Sequence, residues 1–195
     1  MKSTHTVATA PETAAQRAAP LRFVRNFPSG IRLPSMEKTE SAGATAEAAT
    51  HAQRIRATGH EHVSAEHGST VELTSDDWLT PAGDCIVGIE ADTTPAAFDE
   101  AFVVACQSES ATITAEFAVE TGNETLTDTI VGRGDPELTF NGDRSLVGRT
   151  SDYVDDRTVF VGADGAAADL DRDLVAALAD GAALTLTLTV EAVDD

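Results

Sequence analysis

Residues 91–106 return seventy-two positions later as residues 163–178, and this repeat constrains the fold more than any other feature of the chain. Six of the sixteen positions are identical: Ala91/Ala163, Asp92/Asp164, Ala96/Ala168, Asp99/Asp171, Val103/Val175 and Ala105/Ala177. Phe98, Phe102 and Cys106 then meet Leu170, Leu174 and Leu178, two apolar series at helical spacing. With one residue dropped, the strictly alternating Ile113, Ala115, Phe117 and Val119 meet Leu184, Leu186, Leu188 and Val190. Period-two alternation marks a strand with one face in the core and one in water. Upstream, Ser75-Asp76-Asp77-Trp78-Leu79 parallels Thr150-Ser151-Asp152-Tyr153-Val154, and Val71-Glu72-Leu73-Thr74 parallels Pro136-Glu137-Leu138-Thr139.

Each half therefore reads as strand, strand, strand, helix, strand. Val63 to Thr74 carries two short stretches broken at His67-Gly68-Ser69, and Cys85–Ile89 is a compact buried strand. The first helix opens at Asp92-Thr93-Thr94-Pro95, a capping side chain followed by an early proline. The second runs from about Ala166 to Leu178 and stops at Asp180-Gly181. The expected fold is α+β and mainly β: an internally duplicated antiparallel β-sandwich or squat barrel with one helix per repeat. The duplicated domain spans 59–192, with repeats of about 59–120 and 126–192. A pseudo-two-fold axis places equivalent residues on either side of one groove.

Residues 1–58 differ in kind. Their Ala/Thr/Glu/Ser runs bury too little to offset chain entropy, so a disordered leader is expected, with a short helix across about 44–56. The span before Met36 holds five basic residues and one acidic, alien to the rest of the chain, which suggests a true start at Met36 and an over-long gene reading for 1–35. Charge makes the same division. Residues 1–58 hold eight Lys/Arg against four Asp/Glu, a net +4. Residues 59–195 hold five Arg, no Lys and twenty-nine Asp/Glu, a net −24. Such an acidic, lysine-free domain fits the concentrated salt of a halophilic cytoplasm, where the Debye length falls to about 3 Å and self-repulsion is screened. The same charge disfavours sequence-independent nucleic-acid binding. That reading would need Arg133, Arg144, Arg149 and Arg157 on one face free of carboxylates. The apolar runs fall short of the roughly 18 residues a membrane span requires, and the N-terminus has no apolar signal core.

Three constellations carry chemistry. His60, His62 and His67 fall within eight positions, interleaved with Glu61 and Glu66. On a strand His60, His62, Ser64 and Glu66 share a face. A divalent metal needs three or four convergent ligands, which His60, His62 and Glu66 supply only if the strand bends. The second half carries Gly132-Arg133-Gly134-Asp135 where the first has the His67 turn, an asymmetry that fits a single functional site and equally fits plain drift. Asp92 and Asp164 stand where a strand gives way to a helix; they cap those helices or, as paired carboxylates, hold a divalent cation. Asp99 and Asp171, one turn along, are expected to be solvated. Cys85 lies in an apolar neighbourhood that opposes a lowered-pKa thiol, which counts against a Cys85–His67 nucleophile pair. Trp78 and Tyr153, the only Trp and Tyr, are expected as paired core anchors, or else as flanks of a ligand groove.

Taken as an ordered set, GHEHVSAEHGSTVELTSDDWLTPAGDCIVGI, GDPELTF and RTSDYVDDRTVFVGADGAAADLDRDLV resemble the archaeal family known as domain of unknown function 371. The resemblance covers about residues 59–192 and implies an archaeal owner and a sandwich-like β fold with few helices. It implies no activity. Where this chain has Glu66-His67-Gly68-Ser69-Thr70 the family pattern is Thr-His-Lys-Thr-Thr, and a Lys is common where Gly165 stands. The sequence thus supports a small ligand-binding or interaction module, its site near His60, His67 and Asp84. The alternative is a metal-dependent hydrolase built on His60, His62 and His67, with His67, Glu66 and Asp84 as catalytic candidates and His60, His62, His67, Asp92 and Asp164 as metal candidates.

Overall fold

The computed structural model describes residues 50–122 and 124–191. Of the leader expected over residues 1–58, residues 1–49, with the Met36 start, lie outside the described residues. The first half runs β1 (Thr50–Thr58), β2 (Thr70–Thr74), β3 (Ile86–Gly88), a 3-10 turn at Pro95–Ala97, α1 (Glu100–Cys106) and β4 (Thr112–Glu120). The second repeats that order: β5 (Thr125–Arg133), β6 (Ser145–Arg149), β7 (Thr158–Phe160), a 3-10 turn at Ala167–Asp169, α2 (Arg172–Ala179) and β8 (Ala183–Glu191).

Two four-stranded sheets result, not a closed barrel. One has the order β1-β8-β4-β5 with every pair antiparallel. The other has the order β3-β2-β6-β7; its central pair is antiparallel, but β3 runs parallel to β2 and β7 parallel to β6. This mixed sheet corrects the expectation of an all-antiparallel sandwich. One continuous core joins Ile113, Phe117, Leu184 and Leu188 of the first sheet to Val71, Leu73 and Leu146 of the second, with Phe102 and Leu174 from the helices. Among the described residues no helix is long and apolar enough to cross a membrane.

Equivalent backbone contacts recur in both halves. Asp92 N–H donates to the Arg56 carbonyl at 2.9 Å, and Asp164 N–H to that of Val131 at 2.9 Å. Thr58 bridges Ile89, and Arg133 bridges Val161. Ala65 and Phe140 both hold positive φ, 48° and 51°, as do Glu90 and Gly162 at 55° and 57°. Gly59 is pressed against the carbonyl of Leu178 at the end of α2, and Gly134 against that of Cys106 at the end of α1. Each of these glycines has no room for a Cβ, so each half is keyed into the other half's helix. These matches give the structural correspondence: residues near β1, β2, β5 and β6 pair at an offset of 75, residues from 83 to 106 at 72, and β4 with β8 at 71. At the centre of each sheet equivalent residues face one another, Glu72 opposite Val147 and Glu116 opposite Thr187.

Several local expectations change. Residues 50–58 are strand, not the C-terminal part of a helix, and they extend the folded region nine residues before 59. Each expected helix is split into a 3-10 turn and a short α-helix. Residues 59–69 are turns and irregular backbone instead of strand, because Gly59 docks on Leu178 and Val63 N–H turns back to the His60 carbonyl at 2.9 Å. Val71–Thr74 corresponds to Leu146–Arg149 in β6, not to Pro136–Thr139. The counterpart of His67 is accordingly Gly142: Ala168 N–H donates to the His67 carbonyl, and Ala96 N–H to that of Gly142.

Candidate functional site

Strand β2 turns Val71 and Leu73 into the core, so Glu72 and Thr74 share the opposite face. Opposite them, Ser145 opens β6, and Arg144 stands one residue before it. Beyond β2 the loop 75–85 leaves the sheet and returns as β3, three residues longer than its counterpart between β6 and β7. Between this loop and the sheet lies a pocket of about 420 Å³. Trp78, Leu79, Ala82, Gly83 and Ile86 form its apolar side; Glu72, Asp76, Arg144, Ser145 and Arg157 form its polar side. A second hollow of about 320 Å³, lined by Asn141–Arg144 and Asp155–Arg157, shares Arg144 and Arg157 with the first.

The charges here are paired. Arg144 Nε donates to both oxygens of Asp76, at 3.0 and 2.8 Å, and its Nη2 donates to Asp76 as well. Those hydrogen bonds from Arg144 hold the Asp76 carboxyl below its usual range. Arg157 is held less tightly, its Nη1 at 3.5 Å from Glu72 and its Nη2 at 3.2 Å from Asp155. Asp155 also accepts from the Thr158 hydroxyl at 3.0 Å, the Arg157 N–H at 3.0 Å and Arg149 Nη2 at 2.7 Å. Partial burial pushes its pKa up, but these donors outweigh burial and the net displacement is downward.

The equivalent place in the second half is filled. Arg149 stands where the first half has Thr74: the Arg149 carbonyl accepts from Ala163 N–H and the Thr74 carbonyl from Ala91 N–H. Its guanidinium lies over the Tyr153 ring, 5.0 Å from the centroid, and Nε donates to Thr158 Oγ1 at 3.0 Å. Tyr153, Asp155 and Thr158 are the counterparts of Trp78, Gly83 and Ile86, all of which line the pocket. The Arg149 side chain is only 12% exposed. Where the first half has space, the second has an arginine.

Trp78 and Tyr153 are 55% and 61% exposed, so neither is a core anchor. Both stand on loops that have left the sheet, and Trp78 lines the pocket. The backbones of the catalytic candidates adjoin: Glu66 and His67 N–H groups donate to the Asp84 carbonyl at 3.0 and 3.3 Å. The His67 ring, however, closes its own turn. Its Nδ1 accepts from Thr70 N–H at 3.2 Å and contacts the Thr70 hydroxyl at 2.8 Å. His60 and His62 pack ring against ring at 5.1 Å, and His60 Nδ1 accepts from His62 N–H at 3.1 Å. Among the described residues no three His, Cys, Asp or Glu side chains converge as a metal-holding group.

Asp92 and Asp164 do not cap helices. Each accepts from the backbone of a sheet-edge strand, Arg56 N–H at 2.9 Å and Val131 N–H at 2.8 Å, in opposite halves. The residue that caps α2 is Asp171, from Asp173 and Leu174 N–H, and Asp99 accepts from the Gln53 amide at 3.0 Å. Neither is merely solvated. Cys85 Sγ donates to Glu72 at 3.6 Å, and its thiol is pushed up to about 11 by burial and then by the Glu72 charge. Burial pushes Cys106 to about 12. Neither is a thiolate near neutrality. Arg133, Arg144, Arg149 and Arg157 each have a carboxylate partner, which leaves no uncovered basic face among them.

Sequence reasoning missed Glu72, Asp76, Arg144, Ser145 and Arg157 as a group. The one signal in the sequence was the matched Trp78 and Tyr153.

Comparison with known proteins adds kinship without an activity. The sequence model of a family described as Domain of unknown function (DUF371) matches residues 55–191. An uncharacterised protein of the archaeon Methanocaldococcus jannaschii, MJ0206, is 38% identical over 136 residues, covering 97% of that protein and 70% of this chain. The chain belongs to the DUF371 family.

Proposed function

We propose that this DUF371 member is a small-ligand-binding module whose site is the pocket beside Trp78. One observation carries the reading: the pocket is open in the first half, while Arg149 fills the corresponding place in the second. At about 420 Å³, with one apolar side and a few convergent polar groups, it has the size and mixed lining of a small-molecule site. Trp78 at its rim presents a large flat amphipathic ring to the pocket.

The proposal extends to the chain's history and setting. The recurring element order, the paired positive-φ positions and the cross-docked glycines support duplication of a six-element unit, followed by divergence at one pocket. The net −24 of residues 59–195, without a single Lys, supports a cytoplasm of concentrated salt. A metal-dependent hydrolase at His60, His62 and His67 has less support, since His60 Nδ1 and His67 Nδ1 are engaged in local turns.

Saturation-transfer NMR against a library of small metabolites, in concentrated potassium chloride, tests the module. Hits that disappear in Trp78→Ala while its thermal midpoint holds would support it. A library without hits, or hits indifferent to Trp78→Ala, would sink it.

A further inference from the structure

The unused hydrogen bonds of the pocket point to a class of ligand, and this inference rests on the binding-module reading above. A guanidinium has five N–H donors and no acceptor, and a carboxylate only acceptors. Asp76 is committed to Arg144, and Glu72 accepts from Cys85 and Arg157. Arg144 has no partner for Nη1 among the described residues, and Arg157 makes one long contact from each terminal nitrogen, 3.5 and 3.2 Å. The strongest groups left without short partners are guanidinium N–H donors, so the site favours an occupant that brings acceptors. Asp76 fixes the Arg144 fork in place before any ligand arrives, and the loosely held Arg157 is free to reorient.

Shape and charge narrow the class further. Trp78, Leu79 and Ile86 form an apolar wall suited to a flat ring. Arg144 and Arg157 are balanced within the lining by Asp76 and Glu72, which suits a single negative charge better than two. We propose that the ligand is a flat aromatic or heteroaromatic ring bearing one carboxylate, the ring against Trp78 and the carboxylate on Arg157 and Arg144.

Calorimetric titration of the full chain with 2-naphthoate, 2-naphthamide, 2-naphthylmethylammonium and adenosine monophosphate separates the possibilities. Naphthoate is expected to bind about tenfold or more tightly than the amide, a difference of about 1.4 kcal/mol, and the ammonium more weakly still. In Arg157→Gln the preference for naphthoate over the amide should collapse to about twofold while the amide's own affinity holds. Retained amide binding shows that the variant is folded. Amide or ammonium binding as tight as naphthoate, dependent on Trp78, would overturn the carboxylate and leave the module standing. Adenosine monophosphate binding more tightly than naphthoate would overturn it in favour of a phosphate. No Trp78-dependent binding by any of the four would overturn the aromatic carboxylate, and the metabolite library then decides the module by itself.

Discussion

The loop after β2 and the loop after β6 leave the same sheet from opposite ends, each carrying an exposed aromatic at the same position, Trp78 and Tyr153. Their surroundings have gone separate ways. At the Trp78 end the last strand residue is Thr74, and a pocket remains. At the Tyr153 end it is Arg149, which covers the ring and bonds to Asp155 and Thr158. The sheet backbone is shared; Arg149 and a loop three residues shorter close one end, where Thr74 and the longer loop leave the other open. On the proposed reading, the shared frame bears on stability and the open end on binding. Measurements that treat the halves alike should probe the frame, and measurements that split them should probe the site.

The largest effects are expected where the halves key into each other. Gly59→Ala and Gly134→Ala each drive a Cβ into a helix-terminal carbonyl, and each should cost about 3 kcal/mol or more in chemical denaturation. A gap between them of more than about 1 kcal/mol would break the equivalence of the two docking points.

Next comes Arg149→Ala, which removes a nearly buried guanidinium and leaves Asp155 and Thr158 short of a donor. About 2 kcal/mol should be lost. At the open end, Arg144→Ala removes a mostly exposed guanidinium and should move the unfolding midpoint far less. Equal losses would contradict the contrast between a filled and an open end.

The acid limb of stability should report the Asp155 network. Asp155 is held below the ordinary carboxylate value of 3.8, so its contribution is complete above that value and fades as pH falls through its lowered folded value. In Asp155→Asn that acid-dependent loss should shrink, as read from urea midpoints at stepped pH. An unchanged slope would remove Asp155 from the network.

The smallest effect separates Glu90 from its counterpart Gly162, which share the left-handed conformation. Gly162→Ala should cost about 1 kcal/mol, whereas Glu90→Gly should fall within about 0.5 kcal/mol of the parent, strain relief offsetting the added chain entropy.

Much of the frame was legible in the sequence. The helical spacing of Phe98, Phe102 and Cys106 survives in Leu170, Leu174 and Leu178, and β4 and β8 alternate without interruption. Strand β1 was not, because its buried face is Gln53, Ile55 and Ala57, a single large apolar residue among them. It joins the sheet through its backbone pairing with β8. Identity also misled the register. Val71-Glu72-Leu73-Thr74 resembles Pro136-Glu137-Leu138-Thr139 more than its structural counterpart Leu146-Val147-Gly148-Arg149, although β2 and β6 hold equivalent places in the sheet. Histidines drew attention by clustering, yet His67 serves its own turn. The pocket gave little signal because its polar side gathers Glu72, Asp76, Arg144, Ser145 and Arg157 from segments joined by the β2–β6 and β6–β7 pairings.

The most direct test uses the single tryptophan. In a titration with 2-naphthoate, the Trp78 indole N–H and the Arg144 and Arg157 side-chain resonances should shift together by NMR, while those of Tyr153 and Arg149 stay still. Shifts at the Tyr153 end equal to those at Trp78, or confined to it, would contradict an account in which one half kept the pocket and the other filled it.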